Sequence, residues 1–130
     1  TIEKLIERNF LKVSPEATLG DLVKIVSQSQ RNVFPVVDAE NNFMGVVFIN
    51  DIRHIIFNHE LYDTVFVSNL MFMPDVYVNR NATMEEVAQK LHDTANYNIP
   101  VLDNGKYVGF VSRANVFSAY RKLVKEFSED

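Results

Sequence analysis

The feature that most constrains this chain is that it repeats itself. Displacing the sequence by 65 positions lays Leu5 on Leu70, Val13 on Val78, Ala17-Thr18 on Ala82-Thr83 and Pro35-Val36 on Pro100-Val101. After Asp38 the second copy is one residue shorter, the offset becomes 64, and Gly45 meets Gly109. Such a period restricts the fold before local propensities do, since each copy must build the same unit. Two copies fill the 130 residues and leave no room for a separate catalytic domain. The expected division is 1–65 for the first repeat and 66–130 for the second, within one compact module. A half of this size buries too little surface to be comfortable alone. The halves are therefore expected to pack sheet to sheet, leaving two clefts related by pseudo-twofold symmetry.

Each copy reads as β-α-β-β-α, so the fold class is α/β in tandem duplication. Phe10-Leu11 and Val13, matched by Val76 and Val78, are short apolar stretches suited to a brief strand. Thr18 precedes Leu19, Leu22, Val23 and Val26, and Thr83 precedes Met84, Val87, Ala88 and Leu91, the same helical spacing twice. Thr18 with Asp21, and Thr83 with Glu86, have the form of capping boxes, with an acid placed favourably for the helix dipole. Val33 to Val37 and Asn98 to Leu102 carry an internal proline, which predicts edge strands or strand starts. Acidic turns then lead into Phe43 to Ile49 and Tyr107 to Val111, which predicts hairpins. A second helix is expected in each copy, beginning near Asn50 and Arg113. In the second copy Val116, Phe117, Tyr120, Leu123, Val124 and Phe127 form one apolar stripe. The tract Leu61 to Met73 is expected to cross between the copies and to open the second.

Composition narrows the chemistry. A net charge of -4 gives no electrostatic reason to expect nucleic acid or an anionic membrane as partner. The absence of cysteine excludes thiolate chemistry, disulfides and Cys-ligated metals. No apolar run approaches the roughly 18 residues needed to cross a bilayer, and the polar, amphipathic start is unlike a signal peptide. Because the chain starts at threonine, it is expected to be a domain of something larger. His54 and His59 are five apart, the wrong spacing for one helical face, and His92 and Asp93 are neighbours that point apart, so no metal site is expected. No Gly-x-Ser-x-Gly elbow, P-loop or Gly-x-Gly-x-x-Gly loop occurs, and no catalytic constellation is found. Asn81-Ala82-Thr83 is a formal glycosylation sequon, read as chance.

The tandem β-α-β-β-α pattern, the x-Pro-Val-x-Asp strand, and a Gly-apolar-apolar-x-x-x-Asp/Asn junction between hairpin and helix resemble a CBS-domain pair. The resemblance covers essentially all of the chain. The stretch Ile52 to Met71 also resembles the junction in CBS pairs appended to bacterial ClC-type chloride channels and transporters. These resemblances imply a non-catalytic regulatory module, cytoplasmic or the cytoplasmic part of an integral membrane protein. They also imply association into homodimers, and a membrane transport domain on the same parent chain as the regulated partner. No cofactor is required; the implied ligands are adenosine-containing, namely AMP, ADP, ATP or S-adenosylmethionine, held in clefts between the repeats.

The family's ribose grip is a Gly-x-x-Ser/Thr-x-x-Asp element, with the base held by residues just before the Pro-Val strand of the other repeat. Carried over, the resemblance pairs Arg31 and Asn32 with Ser112 and Asn115 in a first cleft, Arg113 being adjacent and suited to phosphate. It pairs Asn96 and Tyr97 with Phe48 and Asp51 in a second. Both clefts depart from the pattern. Asn115 stands where the acid is expected and loses the charge-assisted hydrogen bond; Phe48 replaces the hydroxyl with a ring. Weak binding is expected, and the Ser112 cleft is the stronger candidate for phosphate. Asp51 can serve as ribose contact or helix cap, Tyr97 as base platform or packing, Asn115 as ligand contact or helix-start residue. The alternative is a structural homodimerisation module with vestigial clefts, supported by Phe48, Asn115 and the stripe from Val116 to Phe127.

Overall fold

The structure, a computed structural model, describes residues 1–95 and 97–128. The chain forms two compact α/β units, one of Asn9–Pro74 and one of Thr1–Arg8 together with the chain from Asp75 onward.

In the Asn9–Pro74 unit, α1 (Leu19–Ser27) is capped by Thr18: its hydroxyl accepts from the Asp21 amide at 3.1 Å, and Asp21 accepts from the Thr18 amide at 3.1 Å. The bond from the Thr18 amide is the main cause holding the Asp21 carboxyl below the usual carboxylate range. Strands β1 (Val33–Val37) and β2 (Phe43–Phe48) pair antiparallel, Val33 opposite Phe48, with a bulge between Val36 and Val37. Two one-turn helices follow, α2 (Ile49–Ile52) and α3 (Val67–Leu70). Leu19, Leu22, Phe34, Val36, Val47, Ile52 and Val67 close the core.

The second unit contains β3 (Val78–Asn79), α4 (Met84–His92), β4 (Asn98–Asp103), β5 (Lys106–Ser112) and α5 (Arg113–Ser128). Thr83 caps α4 by accepting from the Glu86 amide at 3.1 Å. The sheet order is β3-β4-β5, with β3 parallel and β5 antiparallel to β4. Asn104 and Gly105, both at positive φ (50° and 80°), make the two-residue turn that the twist of an antiparallel pair favours. Ile2, Val78, Val87, Leu91, Ile99, Val101, Val111 and Val116 form the core.

Three differences from the sequence expectation have physical causes. First, β4 is a central strand although it contains Pro100. The first repeat shows why this is tolerated. Val13 donates to the Pro35 carbonyl at 2.9 Å and accepts from the Val37 amide at 3.0 Å. The ladder on that side starts at the proline's oxygen and next needs an amide two residues on, so the missing N–H is never required. Likewise the β3 ladder starts at Val101, one residue past Pro100.

Second, only the second repeat forms a long terminal helix. α5 runs for 16 residues, whereas α2 stops after 4 and the chain continues in single turns, Ile55 bonding to Ile52 and Asn58 to Ile55. α5 is supplied with Ala, Leu, Arg, Lys and Glu, while the corresponding stretch carries Ile49, Asn50, Ile52, Ile55, Ile56 and Asn58, which are weaker helix formers. The cap differs too, as described below.

Third, the spatial units are not the repeats cut at residue 65. Residues 1–8 pack with the second repeat and residues 66–74 with the first. At an offset of 65 these are equivalent segments, and they dock in the same way. Glu7 exchanges two backbone hydrogen bonds with Phe110 (2.7 and 3.0 Å), and Phe72 exchanges two with Val46 (3.0 and 2.9 Å). The repeated glycine permits this approach. A Cβ on Gly109 would lie 2.5 Å from the Glu7 carbonyl oxygen, and one on Gly45 2.7 Å from that of Phe72. Glu3 adds ion pairs to Arg8 and Arg80, both at 2.8 Å, and Arg80 reaches Asp103 at 3.5 Å. Hydrogen bonding from Arg80 holds the Glu3 carboxyl below the usual carboxylate range, and Glu3 in turn raises Arg80.

Candidate ligand-binding site

The start of α5 gathers most of the polar groups singled out in the sequence. Ser112 ends β5, and its Oγ accepts from the Asn115 amide at 3.1 Å, which makes it the helix cap. An oxygen that accepts in this way still has its O–H to donate. The Arg113 amide donates to the Tyr97 carbonyl at 2.7 Å, tying the segment before β4 to the first turn of α5. The Arg113 guanidinium donates to the Thr94 carbonyl and lies 5.5 Å from the centre of the Phe117 ring. No described carboxylate pairs with it, and a guanidinium has five donors. Beside it is an open cavity of about 560 Å³ lined by His92, Asp93, Thr94, Ala95, Tyr97 and Arg113. Tyr97 is 80% exposed, so its side chain is not packed into the core. A hydroxyl donor, a held cation and a helix start are the groups that phosphate binding uses, and an exposed ring suits a planar base.

The start of α2 is built on the same backbone and carries different chemistry. The Ile49 amide donates to the Asn32 carbonyl at 2.9 Å, the counterpart of Arg113 with Tyr97. Phe48 stands in the cap position without a side-chain hydrogen bond, its ring tilted against Phe72 at 5.4 Å. Asp51 is the third residue of α2 and exposed; it does not occupy the cap position, and its favourable effect on the helix is through the dipole alone. The Arg31 guanidinium donates to Asn9 Oδ1 and lies 4.2 Å from the centre of the Phe10 ring. It lines a cavity of about 530 Å³ with Asn9, Leu11, Gln28, Ser29 and Gln30.

The hydrogen bonds within each unit thus join Tyr97 with Arg113, beside Ser112 and Asn115, and Asn32 with Ile49, beside Phe48 and Asp51. The carried-over pairing instead groups Arg31 and Asn32 with Ser112 and Asn115. Asn96 lies outside the described residues. Thr94, which holds Arg113, was not singled out in the sequence, and Phe117 was read only as part of an apolar stripe. The four-residue spacing from Arg113 to Phe117 on a helix was the available signal for one of them; Thr94 acts through its carbonyl, which no side-chain pattern reveals.

Comparison with known proteins agrees with the duplicated architecture. The CBS domain family model matches residues 2–58 and 67–122. An inosine-5'-monophosphate dehydrogenase from Bifidobacterium longum is 33% identical over 81 residues, 62% of this chain; the chain spans only 14% of that relative. Among solved structures, Staphylococcus aureus OpuCA is similar with a TM-score of 0.75 and 25% identity, covering 92% of this chain and 98% of that one. CBSX2 in complex with AMP is similar with a TM-score of 0.74 and 25% identity, over 95% of this chain and 97% of that one.

Proposed function

The chain belongs to the CBS domain family, carrying the domain twice, and on that premise we propose that it is a regulatory module that binds an adenine nucleotide at the start of α5. The observation that carries this reading is the cluster of Ser112, Arg113 and Tyr97 around one helix start, tied together by the Arg113–Tyr97 backbone bond. The phosphate takes the Ser112 O–H and the Arg113 guanidinium, the base lies on the Tyr97 ring, and Asn115 offers the sugar one hydrogen bond. AMP bound to the related CBSX2 supports the ligand class. The start of α2 does not take phosphate, because Phe48 supplies a ring where Ser112 supplies a donor.

Occupancy acts on an attached protein by favouring whichever arrangement of the module binds the nucleotide more tightly. The stretch Ile52 to Met71 is the support for a ClC-type transport domain as that protein. Chloride flux through the parent transporter should then respond to AMP only while the module is attached; an equal response without it removes this target.

Calorimetric titration with AMP, ADP, ATP and S-adenosylmethionine tests the ligand. Saturable heat with at least one is expected, and none at millimolar concentration sinks the nucleotide reading. The second reading, a homodimerisation module, would then stand on the exposed Leu123, Val124 and Phe127 of α5. Sedimentation would have to show a dimer, and a monomer at high micromolar concentration would remove it.

A further inference from the structure

Residues 1–8 are held on the second unit by a backbone pair on β5, an Arg8 bond to the Val108 carbonyl, an ion pair to Arg80 and the side chains of Ile2, Leu5 and Ile6, and the β5 pair lies close to the groups assigned to ligand binding. Glu7 lies along the outer edge of β5, bonded both ways to Phe110. Phe110 is two residues before Ser112 on the same strand, and Ser112 is both the partner of Asn98 across the ladder and the cap of α5. At its other end the segment is fastened by Glu3 to Arg80, whose guanidinium also reaches Asp103 at the end of β4. Ile2 is its one fully buried side chain; Leu5 and Ile6 are partly buried against the same core. The segment has one short 3₁₀ turn, Glu3–Leu5, and one strand-like bridge. Segments with few buried contacts and largely exposed polar links open at lower free energy than the unit they dock on.

We infer that residues 1–8 form a detachable strap, and that its docking on β5 holds Ser112 and Arg113 in their ligand-ready positions. The consequence for nucleotide binding rests on the function proposed above. If the strap must be docked for Ser112 and Arg113 to be in place, ligand must reciprocally favour docking, since coupling between two sites is symmetric in free energy.

Amide hydrogen exchange on the full chain is the test. In the ligand-free protein the Glu7 and Phe110 amides should exchange about tenfold or more faster than the amides of β4. Gly109→Ala places a Cβ 2.5 Å from the Glu7 carbonyl oxygen and 2.8 Å from Ile6 Cγ2, and should release the strap. Glu3→Gln loosens the other end without a steric change. In both variants Asn115, whose amide is bonded to Ser112 Oγ, should exchange faster, and AMP affinity should fall about fivefold or more. Saturating AMP should slow Glu7 exchange in the unsubstituted protein. Glu7 exchanging at the rate of β4 overturns the detachable strap. A released strap with unchanged Asn115 exchange overturns its control of the cap. Absence of AMP heat overturns the nucleotide reading instead, and the two ligand-free readouts still decide the strap.

Discussion

Gly45→Ala should destabilise the protein by about 2–4 kcal/mol, the combined scale of overpacking and backbone strain. Gly45 has φ +148°, and a Cβ there would meet the Phe72 carbonyl oxygen at 2.7 Å and its carbonyl carbon at 3.1 Å. Both are backbone atoms held by the Val46–Phe72 pair, so relief requires moving a paired segment rather than turning a side chain. Urea unfolding should report the loss as a lower midpoint, and heat as a fall in Tm of roughly 10 °C. Gly105→Ala is the comparison: φ is +80° but nothing lies within 4 Å of the added Cβ, so only backbone strain remains, about 1 kcal/mol. Equal losses for the two variants would mean that the close approach of Phe72 is not what the repeated glycine serves.

Arg113→Ala should weaken nucleotide binding by about 10- to 100-fold, the cost of a charged hydrogen bond to phosphate. The unfolding midpoint should hardly move, because Arg113 opens α5 on a partly exposed face and alanine suits a helix. Arg113→Lys keeps the charge but loses the planar fork and the contact over Phe117, so an intermediate loss is expected. Affinity measured by calorimetry with AMP and with adenosine separates the roles: the loss should be confined to AMP. Equal losses for both ligands would place Arg113 against the base or sugar and refute the phosphate assignment.

The duplicated architecture was legible in the sequence because a core face, a cap and a hairpin each leave a local pattern. Leu19 and Leu22, Met84 and Val87, and the Asn104-Gly105 turn all appear where spacing and turn chemistry put them. What the sequence could not show is which repeat each opening segment joins. Ile2 and Val67 are both fully buried, but apolar spacing says only that a side chain will be covered, not by which copy. The proline strand of the second repeat departed from expectation for a related reason. Pro100 is judged an edge residue from the donor it lacks, and only the register of β3 shows that this donor is never asked for. At the site, Ser112 and Arg113 were visible as residue types in a repeated motif. Their tie to Tyr97 runs through a backbone carbonyl, which has no signature in the sequence.

The docking of residues 1–8 also sets an order of assembly. Asn9–Pro74 is continuous in sequence, so its own core closes once Pro74 has been made. The second unit is not: Glu7 is synthesised before the intervening unit, and its partner Phe110 follows about 100 residues later, a long closure. During synthesis, therefore, residues 1–8 wait with Ile2 uncovered while the intervening unit completes. The same geometry means that the chain from residue 75 onward, made alone, would leave the β5 edge and the Ile2 position of its core open.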